Sequence, residues 1–417
     1  MGSMPHGLAA SADSTGDMPP RNRRLGPVLA AVNLSWMLPV AASGTLLLAL
    51  FGEWDDATKI SRYSTLSVIS AVAAMVANIV FGILSDRTRS GLGRRAPWIL
   101  GGSLGAAACG SAMSYLDSFP LIVLVWVGFQ VSINAMVAPL GAVVADRVPG
   151  ANLGKASSWI GVGTLVGRGL GGALAGALVV APVLGLRWVF WLIPLGALLF
   201  VFLAPDRPSN DLPRGPFVLR EFARSLLPPR DADLLWAMAC RLLALLGIDL
   251  VLVYQLYMMT DYLGLTTKQA GSTIAAASLI TVFVAGLATA VSGPISDRVG
   301  RRKPFILASA TVGAAAMVPL LISSSLWAYF TFVVVGALGF GCFLAVDQAV
   351  MAEVLPQVET RARDLAFLNV ANTVPSLLAP VIAASVVTSL GYDVLFALGI
   401  AVAIAGGLCI LPIRRVA

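Results

Sequence analysis

Long apolar segments alternate with short polar ones along almost the whole chain of 417 residues. A helix needs roughly 20 apolar residues to cross the hydrocarbon core of a bilayer. Twelve segments meet this requirement, at about 25–50, 62–84, 97–116, 119–144, 156–180, 183–204, 234–258, 270–295, 304–324, 326–351, 365–388 and 392–413. The pattern predicts an all-α integral membrane protein with twelve transmembrane helices.

The composition agrees with a membrane protein. Hydrophobic residues make up 58% of the chain and charged residues 12%, whereas soluble domains are roughly one quarter charged. The mean hydropathy is +0.87. We therefore expect the lipid bilayer to be the main surroundings of the chain.

The chain contains an internal duplication. Gly82 to Leu100 reads GILSDRTRSGLGRRAPWIL, and Gly293 to Leu307 reads GPISDRVGRRKPFIL, with four extra residues in the first copy. The acidic motif Ala145-Asp146-x-x-Pro149 recurs as Ala352-Glu353-x-x-Pro356, at the same offset of 207 residues that separates Pro97 from Pro304. A repeat of half the chain predicts two pseudo-symmetric six-helix bundles.

The repeat also predicts the domain boundaries. We expect six-helix bundles at 25–204 and 234–413, joined by a linker at 205–233 that contains six prolines and five arginines. Residues 217–227 of this linker have the pattern of a short amphipathic stretch on the membrane surface. Residues 1–24 are expected to be a disordered tail, and 414–417 form a short tail at the other end.

The basic residues predict the topology. Of 28 lysines and arginines, 22 fall on the side of the predicted bundle that carries the N-terminus. Lys59, Arg62, Arg187 and Lys268 fall on the opposite side, and Arg168 and Arg241 lie inside apolar segments. The positive-inside rule then predicts that both termini lie in the cytoplasm. We expect the membrane to be a bacterial inner membrane. The net charge of +7 thus reports topology, and we expect no nucleic-acid partner.

An enzymatic function is not indicated. Cys109, Cys240, Cys342 and Cys409 lie in four different apolar segments, so that neither a disulfide framework nor a metal site is predicted. The single histidine, His6, lies in the N-terminal tail. No nucleophile motif is present, and we expect no cofactor and no metal.

Twelve helices in two halves, with a basic hairpin after helices 2 and 8, resemble the major facilitator superfamily. The longer first hairpin, SDRTRSGLGRRAPWIL, and the segment Val166–Gly171 in helix 5 are similar to sucrose transporters. More distantly, the hairpin resembles the glycoside-pentoside-hexuronide cation symporters. The resemblance implies a monomeric carrier that works by alternating access around a site at the middle of the membrane.

The hairpins are expected to form a cytoplasmic gate. The resemblance implies that Asp86 contacts the positive N-terminus of helix 11, and that Arg87, Arg94 and Arg95 pair with acids such as Asp146 or Glu353. We expect Gly82 and Gly293, one turn before each aspartate, to permit a close approach of backbones. The gate assignment also includes Asp297, Arg298, Arg301, Arg302 and Asp347.

Charges inside the spans are candidates for function, because each costs at least about 2.5–3.5 kcal/mol at a helix centre. We expect Asp249 of helix 7 to couple protons or to bind substrate hydroxyls, and Arg168 of helix 5 to face it across the cavity. Arg241 lies about 12 Å along the helix axis from Asp249 and about 80° around it. The two cannot pair directly, so Arg241, also assigned to the cavity, needs another partner. A static interhelical ion pair is the alternative for each charge.

A neutral sugar offers many hydroxyls and no charge, so that its site needs amides, carboxylates and aromatic faces. The candidates of this kind inside the spans are Asn33, Trp36, Gln130, Asn134, Tyr254, Gln255, Asn369 and Asn372. Each is equally compatible with an interhelical hydrogen bond. We expect a small-molecule substrate, and a sugar in particular.

Differences from the related families restrict which ion can be coupled to transport. Helix 2 has no aspartate, which disfavours the sodium site of melibiose-type symporters. Helix 4 lacks the acid, and helix 1 the histidine, of plant sucrose–proton symporters. A proton coupled through another carboxylate is therefore expected.

Two alternatives stay open. Gly163-x-x-x-Gly167-Arg168-x-x-Gly171-Gly172 resembles the helix 5 motif of drug exporters, although Arg168 stands where those exporters have proline. Trp126 likewise stands near the position of their helix 4 arginine. The first alternative is thus a proton-driven exporter of a drug or natural product. The second is a non-transporting sensor or assembly factor, which should lose its cavity charges or gain a soluble domain.

Overall fold

The computed structural model describes residues 24–148, 153–206, 208–210, 231–354 and 361–415. Twelve spans follow one another along the chain. In the first half they are α1 (Leu25–Trp54), α2 (Lys59–Arg87), α3 (Ala96–Ala112), α4 (Phe119–Arg147), α5 (Leu153–Leu178) and α6 (Pro182–Val189 and Leu192–Leu203). In the second half they are α7 (Ala232–Leu252), α8 (Thr267–Val299), α9 (Lys303–Ile322), α10 (Leu326–Val354), α11 (Arg361–Leu390) and α12 (Tyr392–Leu408).

The predicted fold class is confirmed. Among the described residues, nine helices are long and apolar enough to cross a membrane, and Val374–Leu390 and Tyr392–Leu408 are shorter apolar helices. Helices suit a bilayer because lipid supplies no partners for backbone N–H and C=O groups, whereas a helix pairs these groups internally. Of the linker predicted at 205–233, residues 207 and 211–230 lie outside the described residues.

The helix ends follow local chemistry. Pro97 and Pro304 lie in the first turn of α3 and α9, where the missing N–H of proline costs no hydrogen bond. α8 begins with a capping box formed by Thr266 and Gln269. Gly300 ends α8 in the left-handed conformation, with φ of 66°.

The seventh span differs from its prediction. A single helix was expected over 234–258, but α7 ends at Leu252, and the chain continues through Gln255–Tyr257 and a π-turn at Met258–Tyr262. Tyr254 interrupts the helix with φ of −110° and ψ of 34°. The apolar pattern missed this break because hydropathy is insensitive to a change of helical pitch.

Each half has its own apolar core. One buried cluster lies wholly within α1 to α6 and includes Phe51, Phe129, Phe190 and Phe200. Most of the second cluster belongs to α7 to α12. The halves meet where α2 contacts α11 and where α5 contacts α8. We call the side of the bundle that carries both basic hairpins the hairpin side, and the opposite side the far side.

Candidate functional site: charges between the two halves

Helix α5 lies between α1 of its own half and α8 of the other. A Cβ atom on Gly171 would stand 2.4 Å from the carbonyl oxygen of Leu38, and one on Gly176 would stand 2.2 Å from that of Gly271. Glycine is needed at such distances, because a real side chain would push the helices apart. The glycines of α5 therefore serve close packing on both of its flanks.

Arg168 points away from lipid. Leu170, an exposed leucine typical of a lipid-facing position, is 42% accessible and lies about 160° around the helix from Arg168. The side chain of Arg168 is itself exposed, although it lies near the middle of α5. That Arg168 faces the space between the halves stays a prediction.

Asp249 comes from the other half. Gly247, two residues earlier, packs α7 against Gly399 of α12, and the carboxylate of Asp249 is half-buried. The positive charge of Arg168 acts on this carboxylate. Opposite charges inside the spans are therefore carried by opposite halves, with Arg168 near enough to Asp249 for its charge to be felt there.

Amides accompany these charges on α4 and α2. Asn134 donates to the carbonyl oxygen of Gln130 at 2.9 Å, and its own Oδ1 accepts from Nδ2 of Asn78 at 3.2 Å. The side chain of Gln130 is half-buried. The sequence analysis missed Asn78, which the same search for polar residues inside spans would have found.

Asn33 and Trp36 are engaged within α1. Trp36 donates from Nε1 to Asn33 Oδ1 at 3.2 Å, and Asn33 donates to the carbonyl oxygen of Leu29 at 2.8 Å. Asn33 is only 7% exposed. This geometry matches the interhelical or intrahelical bonding alternative better than a ligand role for Asn33.

Tyr254 and Gln255 hold helices together. Tyr254 is fully buried, and its hydroxyl donates to the carbonyl oxygens of Ile60 at 3.3 Å and Pro380 at 3.1 Å. Gln255 donates to the hydroxyl of Tyr329. Tyr254 therefore differs from the expectation of a cavity ligand, because its hydroxyl is consumed by backbone carbonyls. The side chains of Asn369 and Asn372 lie outside the described residues.

Arg241 and Asp347 form one buried ion pair. The sequence analysis put Arg241 in the cavity and Asp347 in the gate, but Nη2 of Arg241 lies 2.8 Å from Oδ2 of Asp347. The side chains are 9% and 3% exposed and lie beside an apolar cluster of α7, α9 and α10. The two groups belong together because α10 brings Asp347 to the face of α7 that carries Arg241.

The first hairpin is built on Arg95. Its guanidinium lies 2.6 Å from Asp86 and 3.0 Å from Asp146, and donates to Ser85 Oγ at 2.5 Å. Arg94 adds a second contact to Asp146, also at 2.5 Å. The expected pairing of Arg94 and Arg95 with Asp146 is present in the structure. All these residues belong to one half.

The second hairpin repeats the layout of the first. Arg302 lies 3.9 Å from Asp297, at the positions that correspond to Arg95 and Asp86. Gly93 and Gly300 both have positive φ, 90° and 66°. Arg87, Arg298 and Arg301 are exposed. The side chain of Glu353, the counterpart of Asp146, lies outside the described residues.

Two expectations about the gate need correction. Asp86 pairs with Arg95 of its own half, where a contact with the start of helix 11 was expected. A Cβ on Gly82 would meet nothing within 4 Å, and one on Gly293 only Ala345 at 3.9 Å. Neither glycine is needed for a close approach of backbones among the described residues, because each position has room for a side-chain methyl group.

A set of contacts on the far side was missed. Lys59 at the start of α2 lies 2.7 Å from Asp261 of the other half, and its ammonium stands 4.7 Å from the ring centre of Tyr257. Tyr257 donates to the carbonyl oxygen of Leu48 at 2.8 Å. The signal was available, because Lys59 is one of few cations on that side. The far side is thus closed by contacts between the halves.

Two six-helix halves that meet along α2, α5, α8 and α11, with opposite charges inside the spans of the two halves, are the architecture of a membrane transporter. The chain belongs to the Major Facilitator Superfamily, whose family model matches residues 25–289 and 237–417. The superfamily expectation is thereby confirmed, whereas the sucrose-transporter branch stays a prediction.

Two relatives come from Mycobacterium tuberculosis and are named as uncharacterized MFS-type transporters. Each is 24% identical over 365 residues, which cover 84% of this chain and 83% of the relative. Their names support the transporter class and say nothing of a substrate.

Solved structures share the fold. A POT family transporter in complex with a thioalcohol-conjugated peptide has a TM-score of 0.75 at 12% identity, covering 95% of this chain and 98% of its own. A D-xylose–proton symporter has a TM-score of 0.66 at 16% identity, with 94% and 97% covered. A bacterial homologue of the human lysosomal transporter Spinster has a TM-score of 0.65 at 15% identity, with 95% and 96% covered. At these identities the likeness shows the fold alone.

Proposed function

We propose that this transporter is a proton-coupled symporter of a neutral sugar or glycoside that works by alternating access. The observation that carries the proposal is the placement of Arg168 on α5 and Asp249 on α7. The two charges come from different halves, and the positive charge of Arg168 acts on the Asp249 carboxylate. A substrate between them would interact with both halves at once, which is what a rocking carrier requires.

Asp249 is the proposed proton carrier. A carboxylate inside a span is costly unless its charge is used or neutralised, and a proton is the smallest group that neutralises it. Arg168 acts as its counter-charge when the cavity is empty. The absence of an aspartate from residues 62–84, the predicted membrane-spanning part of α2, supports a proton over sodium.

The sugar assignment rests on the first hairpin motif and on the amides near the cavity. Gln130, Asn134 and Asn78 supply donors and acceptors on adjacent helices. Amide groups suit hydroxyls, because each offers two donors and an acceptor in one plane.

The hairpin side is proposed to face the cytoplasm of a bacterial inner membrane. The excess of arginine and lysine on that side supports this orientation. The far side, closed by Lys59 and Asp261, then faces outward. The structure corresponds to a carrier whose outer entrance is shut.

The proposal is tested by uptake of labelled sucrose and maltose into proteoliposomes, with and without an imposed inward proton gradient. The wild type is expected to accumulate sugar only with the gradient. Asp249→Asn should lose accumulation and keep sugar exchange, because exchange needs no net proton movement. Asp117→Asn, which changes an exposed carboxylate in the α3–α4 turn, is the matched control and should behave as wild type.

Export of a hydrophobic natural product is the second candidate. The glycine motif of α5 favours it by resemblance, although the close contacts of Gly171 and Gly176 with neighbouring helices account for those glycines by packing. Absence of sugar transport under every gradient, together with proton-driven efflux of hydrophobic compounds, would replace symport with export.

A further inference from the structure

The ion pair between Lys59 and Asp261 joins the two halves on the far side. The ammonium of Lys59 lies 2.7 Å from Asp56 of its own half and 2.7 Å from Asp261 of the other. The ring of Tyr257 covers it at 4.7 Å, and the side chain is only 8% exposed. A lysine so enclosed is strongly oriented, so that separating the halves must first release it from Asp261.

Asp261 lies in the π-turn at Met258–Tyr262. The N–H of Leu263 donates to the carbonyl oxygen of Met258 at 3.1 Å, a bond that spans five residues where an α-helix spans four. A π-turn therefore holds one more residue than the α-helical turn it replaces. Each residue turns an α-helix by about 100°, so that losing the extra residue would swing Asp261 about 100° away from Lys59.

The same short segment makes the other bonds that join the halves at this side. Tyr257 donates to the carbonyl oxygen of Leu48 at 2.8 Å, and Tyr254 to that of Ile60 at 3.3 Å. Tyr254 also marks the end of regular α-helix in this span. The segment that can change its register is thus the segment that carries the closure.

We propose that the π-turn at Met258–Tyr262 is a register switch for the outer entrance, which opens when the turn relaxes into α-helix and withdraws Asp261 from Lys59. The switch rests on the alternating-access part of the proposed function. It requires neither a sugar substrate nor a proton.

The test measures the distance between the halves on the far side. Nitroxide labels are placed at Asp117→Cys in the α3–α4 turn and Ser324→Cys in the α9–α10 turn, in a chain whose four cysteines are replaced by alanine. Deletion of Thr260 removes the extra residue and keeps both charges. The deletion is expected to shift the distance distribution of the detergent-solubilised protein, without substrate, to longer values.

Two further variants keep the test decisive if the deletion does not fold. Asp261→Asn removes the charge and is expected to give a partial shift to longer distances. Lys59→Arg keeps a cation beside Asp56 and Asp261 and should retain the parent distribution. A deletion variant that folds and shows the parent distribution would overturn the proposal. So would an Asp261→Asn variant indistinguishable from the parent.

These outcomes are separate from the transport assay. A protein that transports no sugar but opens its far side on deletion of Thr260 would refute the sugar proposal and support the switch. A protein that transports sugar but whose far-side distance is unchanged by the deletion would support the sugar proposal and refute the switch.

Discussion

Nη2 of Arg241 and Oδ2 of Asp347 lie 2.8 Å apart in surroundings that exclude almost all water. The contact lacks hydrogen-bond alignment at Oδ2, and Nε of Arg241 has no hydrogen-bond partner among the described residues. A buried charge that loses its partner costs about 3–5 kcal/mol, whereas an apolar replacement of the whole pair is often neutral.

Asp347→Ala should therefore lower the free energy of unfolding by about 3–5 kcal/mol. The double change Arg241→Met with Asp347→Leu should recover most of that loss, because no uncompensated charge remains. Thermal unfolding in detergent, analysed as a double-mutant cycle, measures both. A double variant as unstable as Asp347→Ala alone would show that the pair is needed for more than charge compensation.

Arg95 should contribute more to stability than an exposed arginine of the second hairpin. Arg95 contacts Asp86, Asp146 and Ser85, and we expect Arg95→Ala to cost about 1–3 kcal/mol, moderated by solvent at the more exposed Asp86. Arg298→Ala, at an exposed arginine on the second hairpin, is the control and should stay within about 0.5 kcal/mol. Equal losses in unfolding temperature for the two variants would contradict the structure.

Gly176 of α5 should tolerate substitution poorly, whereas Gly82 of the first hairpin should tolerate it well. Gly176→Ala would place a methyl group 2.2 Å from the carbonyl oxygen of Gly271, which forces α5 and α8 apart at a cost of about 1–3 kcal/mol. Gly82→Ala meets open space and should be neutral or slightly stabilising, because alanine favours helix. Unfolding temperatures of the two variants, measured side by side, test this ranking.

The C-terminal tail, through Arg415, should stabilise the start of α7 in a pH-dependent way. Asp231 accepts from the N–H of Leu234 and pairs with Arg415 at 2.7 Å. Burial raises the pKa of Asp231, but these two partners outweigh it and hold that pKa below its usual value. Asp231→Ala should cost about 1 kcal/mol, as expected for loss of an N-cap.

The sign of this pH dependence follows from the lowered pKa. The contribution of Asp231 is complete above the unfolded pKa of about 3.9 and is lost as the pH falls through the lower folded pKa. The stability difference between wild type and Asp231→Ala should therefore be constant from pH 7 to about pH 5 and shrink in stronger acid. A difference that grows on acidification would exclude this account.

The repeated motif showed that Arg302 and Asp297 occupy positions matching Arg95 and Asp86. The family resemblance implied the pairing of Arg94 and Arg95 with Asp146, which the structure contains. The partner of Asp86 was predicted wrongly: helix 11 was expected, but Asp86 pairs with Arg95, because the hairpin turn brings the end of α2 beside the start of α3. The direction of Arg168 stays a prediction, and nothing in the sequence indicated that the Tyr254 hydroxyl would bind backbone carbonyls.

The sequence by itself determined a twelve-helix membrane protein with a twofold internal repeat. Lipid leaves a chain little choice but to pair its backbone within helices, and hydropathy reports that choice directly. The tertiary structure alone decided which polar groups meet. The partnerships of Arg241 with Asp347, and of Lys59 with Asp261 across the two halves, depend on helix rotation and on packing between residues far apart in the chain. One extra residue in the π-turn that follows α7 changes the direction of the Asp261 carboxylate by about 100°. The hydropathy pattern does not detect such a change.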